Sequence, residues 1–474
     1  MVDLNQIYAH IDTHFNDHIE EIKRFLRKPG ISLTGEGMHE STEMLLDLFR
    51  SLGAINVHLV EFEDGWPLVY AELRSRDPQA KTLLNYGMWD VMPVRPELWR
   101  VPPFGAEIIP AQDIGLNPDW GPVLVSRGCY NQRGPLLASL NAIKSIKEVT
   151  GDIPVNLIFT IENEEELGSP HMAEFRGRYM DNLKRADAFH YHRMIQNPEG
   201  EHAIFLGAKG IVTLELSVEG GEWGGPIGKP ANSPDDAWVD APAWRLVWAL
   251  SSLKAQNGRV QIEGFYDEVQ PPTDEDLDLI EKIRLATDVE QLKSKLHIEN
   301  FKGGAPWETL LRNYYLDPVL NIDGYESGYT DEGVLTNLPH QALAKLDIRL
   351  VPNMTVDHVL LCLRRHLDKY GFPEVTLKKM PGGYDWYRTP VSEDIIQAII
   401  SATVKHGVKP QLWPAMPWSF PGSVYAKPPL SLPMGTSGLG RGGWAHSANE
   451  YITVEGIRDH EKYTVTLLYE YAKL

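Results

Sequence analysis

Residues 211–218 and 342–351 alternate apolar and polar side chains, whereas the earlier strand-like runs, residues 81–86 and 154–161, are short and centred on adjacent apolar residues, Leu83-Leu84 and Leu157-Ile-Phe159. Alternation marks a sheet with one wet face. A short run with adjacent apolar residues marks a strand covered on both faces by helices. Candidate covering helices are present as well. Residues 4–27 place Ile7, Ile11, Phe15 and Ile19 at helical spacing, and residues 135–146 open with a proline, where its missing N–H costs least. The chain therefore reads as an α/β domain interrupted by a second domain of different sheet type. The boundaries predict a discontinuous first domain, 1–210 with 382–474, and an inserted α+β domain, 211–381. Two domains also suit the length, since 474 residues exceed what one core usually supports.

Charge and composition narrow the partners. A formal net charge of −20 disfavours nucleic acid. No stretch approaches the 18 apolar residues of a membrane span. The start of the chain lacks the basic and apolar regions of a secretion signal, and the two cysteines, Cys129 and Cys362, suit a reducing compartment. A cytoplasmic protein is the expectation.

The residues with chemistry fall into four ordered groups. They are Met88-Trp-Asp90-Val-Met-Pro93, Ser126-Arg-Gly-Cys-Tyr-Asn131-Gln-Arg133-Gly-Pro135, Glu162-Asn-Glu-Glu165-Glu166-Leu-Gly-Ser169 and His446-Ser-Ala-Asn-Glu450. The inserted domain adds Thr336-Asn-Leu-Pro339 and Arg349-Leu-Val-Pro-Asn353. In this order the groups resemble the acetylornithine deacetylase, succinyl-diaminopimelate desuccinylase, carnosinase and glutamate carboxypeptidase family of two-metal amidohydrolases, along nearly the whole chain. The resemblance implies a zinc-peptidase-like catalytic domain with a mixed, mainly parallel sheet. It also implies an inserted α+β lid and dimerisation domain, and a homodimer.

The same resemblance implies roles, and several positions depart from them. One family metal is held by the positions of His446, Glu166 and Asn131. The other is held by those of Met88, Asn131 and either Arg193 or its neighbour His192. Thioether sulfur is a poor partner for zinc or manganese, a neutral amide cannot offset two dications, and guanidinium cannot ligate a cation. The expectation is no metal, or one weak zinc or manganese ion at Glu166, His446 and His192. Arg193, with Arg133 and Arg127 as further candidates, is expected to supply fixed positive charge instead. Glu165 takes the family's general-base position, Asp90 and His446 complete the catalytic group, and Asn131 and Arg133 are candidate substrate contacts. Arg349, Thr336 and Ser419 are expected to bind a substrate carboxylate. The oxyanion-stabilising His of the family falls in the stretch 220–225, where Trp223 or nothing replaces it.

These readings point to a C–N hydrolase acting on a small amino-acid-like or peptide-like carboxylate. Two alternatives stay open on the same scaffold: a metal-free lyase or isomerase moving a proton, and a protein that binds such a ligand without turnover.

Overall fold

The computed structural model describes residues 2–416 and 418–474, apart from the Lys295 side chain. It divides into two compact units: Met1–Gly207 with Arg388–Pro414 and Val424–Leu474, and Ala208–Tyr387 with Ala415–Ser423.

Unit 1 is an α/β layer structure. Its central strands are β1 (Ile55–Val60), β2 (Leu68–Leu73), β3 (Thr82–Met88), β4 (Asn156–Glu162), β5 (Ala188–His192), β6 (His202–Phe205), β7 (Pro410–Trp413) and β8 (Met434–Ser437). Among the described residues they form one sheet in the order β1-β2-β4-β3-β5-β8-β6-β7. The run β4-β3-β5-β8 is parallel, while the β1-β2 and β2-β4 pairs are antiparallel, giving a mixed, mainly parallel sheet. Helix α1 (Leu4–Leu26) buries Ile7, Ile11, Phe15, Ile19 and Ile22 at intervals of three or four residues, and Asp3 caps its first turn by accepting from Asn5 N–H. Helix α2 (Arg133–Thr150) begins two residues before the expected Pro135 and is buried along most of its length.

Unit 2 carries an antiparallel sheet built from the alternating segments. Strands β9 (Gly210–Glu219), β10 (Val319–Ser327), β11 (Gln341–Leu350) and β12 (Thr376–Lys379) lie in the order β10-β11-β9-β12. The alternation predicts which side chains are inside: Val212, Leu214, Leu216 and Val218 pack with Leu246, Leu253, Val359 and Leu363 in one core.

Buried histidines tie unit 1 to neutral pH. Gly438 N–H donates to His202 Nε2 at 3.1 Å, so the proton sits on Nδ1, 2.7 Å from Thr403 Oγ1. Burial pulls this imidazole down to about 3. The unfolded chain binds the proton below about pH 6.5, so folding stability present above that pH is lost progressively towards pH 3. The expected His202 contribution to acid destabilisation between pH 7 and pH 5 is about 2 kcal/mol. Urea unfolding at both pH values should therefore show a shallower pH dependence for His202→Gln by that amount; an unchanged slope contradicts it.

Candidate active site

Parallel strands bring their carboxyl ends together, the usual place for a site in an open α/β sheet. Here β3 ends at Met88, β4 at Glu162 and β5 at His192. Asp90 follows β3 and is fully buried. Its carboxylate accepts from Ser32 Oγ at 2.7 Å, Glu165 N–H at 3.1 Å and Glu166 N–H at 3.0 Å. It thus fixes the short turn Glu165–Leu167 that presents both glutamates. Burial, reinforced by the charge of Glu166, pushes Asp90 up to about 7. Glu165 is raised well above the usual carboxylate range by burial first, then by Glu166, Glu162 and Asp90, with Arg193 opposing. A carboxylate whose pKa is raised in this way is a stronger base than a solvated one, which suits a general base.

Asn131 stands at the centre. Its Oδ1 accepts from Arg193 NH1 at 2.7 Å, which turns its amide N–H group towards Glu166 Oε1 and His446 Nε2, both at 3.1 Å. His446 Nε2 also lies 3.1 Å from Glu166 Oε2, and the hydrogen bond to Glu166 raises the imidazole pKa. The loop carrying His446 holds Trp444, His446 and Asn449 at φ near +60°, a backbone region costly for residues other than glycine. Arg193 NH1 also donates to Tyr191 OH at 3.1 Å, and its guanidinium stacks 5.0 Å from the Tyr130 ring. Burial opposes the charge of Arg193, but Tyr191 and Tyr130 outweigh it and hold the pKa above the usual range. Tyr191 OH in turn donates to Met88 Sδ at 3.7 Å.

Arg193, Asn131, Glu166 and His446 are therefore brought together, with Glu165 and Asp90 beside them. Tyr191, Tyr130 and Gln132 were not anticipated. Gln132 joins two strand ends, accepting from Met88 N–H at 2.9 Å and donating to the His192 carbonyl at 2.6 Å. The two-residue period of a strand was a usable signal for Tyr191, because it places Tyr191 on the same side as Arg193.

That period also corrects the expectation for His192. It faces away from the glutamates, with Nδ1 2.8 Å from Ser139 Oγ and Nε2 2.9 Å from Asn85 Oδ1, so it does not join Glu166 and His446 as a ligand. Among the described residues no group of three or more His, Cys, Asp and Glu side chains is arranged to hold a metal ion.

Two further arginines are committed elsewhere. Arg133, expected at the substrate, is fully buried and donates to the carbonyls of Trp89 at 2.6 Å and Lys28 at 2.7 Å. Gly30 makes room for it, since a Cβ there would lie 1.7 Å from Arg133 NH2. Arg133→Met should lower unfolding free energy by about 3 kcal/mol through two stranded carbonyls and leave ligand affinity unchanged, as read by urea unfolding and calorimetry. Arg127 pairs with Glu450 at 2.8 Å, and the other Glu450 oxygen accepts from the N–H groups of Tyr130 and Asn131.

In unit 2, Arg349 NH1 donates to Ser419 Oγ at 3.2 Å, and Arg349 Nε to Asp347 Oδ1 at 2.9 Å. Thr336 is exposed, just before the short strand Asn337–Leu338. Trp223 donates its indole N–H to the Glu219 carbonyl at 2.7 Å and packs against the unit 2 core, so it replaces no oxyanion donor.

Comparison with known proteins gives a consistent result. The sequence model of peptidase family M20/M25/M40 matches residues 89–470. The human protein named Beta-Ala-His dipeptidase is 26% identical over 388 residues, 77% of this chain and 71% of its own. The Schizosaccharomyces pombe Cys-Gly metallodipeptidase dug1 is 24% identical over 497 residues, 99% of each chain. An M20 family metallo-carboxypeptidase from Sulfolobus solfataricus superimposes with a TM-score of 0.86 at 32% identity, covering 96% of this chain and 99% of its own.

Proposed function

Because the chain belongs to peptidase family M20/M25/M40, a family of hydrolases acting on C–N bonds, we propose that it cleaves small peptide-like or N-acyl amino-acid substrates with Arg193 in place of a metal pair. The observation that carries this reading is the Arg193–Asn131 contact at 2.7 Å. A guanidinium occupies the acceptor oxygen of the residue that would bridge two cations, and leaves N–H groups facing Glu166 and His446. Met88 adds only a buried thioether. This donor set does not fit a two-metal centre.

In this reading Glu165 takes a proton from water as the water oxygen bonds to the amide carbon. Arg193 and His446 stabilise the negative charge that develops on the carbonyl oxygen. Collapse breaks the C–N bond, and Glu165 returns the proton to the departing amine. Within unit 2, Arg349 with Ser419 is the anchor for a substrate carboxylate. A homodimer through unit 2 belongs to the same proposal. The partly exposed Trp244, Val247 and Trp248, together with the edge strand β10, support it. Both cysteines are free thiols, which supports a cytoplasmic setting.

The test is product analysis with dipeptides and N-acetyl amino acids in the presence of a chelator. Release of free amino acid at an undiminished rate supports the proposal. Conversion without C–N cleavage favours proton-transfer chemistry, and binding without any product leaves a ligand-binding protein.

A further inference from the structure

Three strands of the unit 2 sheet gather their charged residues at one end. Ile211 and Val319 both pair with Arg349 in the ladder, which brings Lys209, two residues before Ile211, and Asp317, two residues before Val319, to the same edge. Lys209 is 4% exposed. Its ammonium makes one hydrogen bond among the described residues, to the Asp317 carbonyl at 2.7 Å, and no carboxylate there lies within ion-pair distance. A buried ammonium with a single neutral acceptor is costly unless an anion completes it. Ser419 ties the Lys209 main chain to Arg349, since its Oγ donates to the Lys209 backbone carbonyl at 2.7 Å and accepts from Arg349 NH1. Arg349 already has an ion-pair partner in Asp347, whereas among the described residues Lys209 has none.

We propose that Lys209 is a second cation of the carboxylate anchor, so that a substrate carboxylate bridges its ammonium and the Arg349 guanidinium. The separation of tasks is chemical: Asp347 and Ser419 hold the guanidinium in place, and the ammonium supplies a charge that Asp317 offsets only from beyond ion-pair distance. Burial lowers Lys209 to about 8, opposed by the charge of Asp317 and reinforced by that of Arg349, which leaves it mostly charged at neutral pH and open to further stabilisation by an anion. The inference rests on the reading of Arg349 and Ser419 as a carboxylate anchor and is independent of hydrolysis.

The experiment is calorimetric binding of N-acetyl-alanine and of its C-terminal amide to the full chain. The unsubstituted protein is expected to bind the acid at least 30-fold more tightly than the amide. Lys209→Met should weaken acid binding by at least 10-fold with little change for the amide, and Lys209→Arg should restore it to within about 5-fold. Unchanged acid affinity in Lys209→Met overturns the role of Lys209. Equal affinity for acid and amide in the unsubstituted protein overturns the whole anchor. If Lys209→Met does not fold, NMR of the ¹³C-lysine-labelled chain decides, with the Lys209 signal assigned by its absence from Lys209→Arg. N-acetyl-alanine should raise its titration midpoint by at least one pH unit, and an unmoved midpoint rejects the proposal.

Discussion

Glu165→Gln is expected to lower kcat by about 10³-fold, within the range for loss of a general base, while the affinity for a carboxylate ligand changes only a few-fold. The amide keeps the shape and the Asp90-anchored turn but cannot accept the water proton. The unsubstituted enzyme should also lose activity on acidification well above the ordinary carboxylate range. Glu165 must be ionised to act, and burial with its acidic neighbours raises its pKa, so activity rises with pH through that raised value. Steady-state kinetics and calorimetry on the same preparations check both statements. Retained turnover in Glu165→Gln would remove this residue from the mechanism.

The second large effect concerns the cation. Arg193→Met should lower kcat by about 10² to 10³-fold, the scale for removing one preorganised oxyanion donor, and a chelator should leave the unsubstituted enzyme unaffected. The converse substitution is more telling. Met88→His, Asn131→Asp and Arg193→Asp together remove the guanidinium and supply ligands at three positions beside Glu166 and His446. Elemental analysis should then find about two equivalents of zinc, because imidazole and carboxylate donors replace a thioether, an amide and a cation. A triple variant that stays free of metal after zinc loading would mean that the surrounding pocket, and not these three side chains, decides occupancy. Loss of activity in chelator would show that Arg193 does not stand in for an ion.

Much of the site was legible because its parts lie in short ordered groups at strand ends. Asp90, Glu165, Glu166 and His446 were marked as candidates by the family resemblance those groups carry, and the structure gathers them at neighbouring positions. The arginines were not separable by the same means. Arg127, Arg133 and Arg193 carry equal charge, yet only Arg193 joins the glutamates and His446. Arg133 is drawn to the Trp89 and Lys28 carbonyls, and Arg127 to Glu450. Such partners are 44 to 323 residues away in sequence, beyond any local pattern.

The sequence by itself determined the two kinds of sheet and the family. Each of these is written in periodicity or in residue chemistry, which act locally. Tertiary structure decided which neighbour on β5 faces the glutamates, which arginine stays in the site, and that Ala415–Ser423 joins unit 2, placing Ser419 beside Arg349. It also left the buried Lys209 ammonium without an ion pair among the described residues. The physical reason is common to all four: hydrogen bonding and burial are settled between segments distant in the chain, and a side chain's charge does not say which segment will meet it.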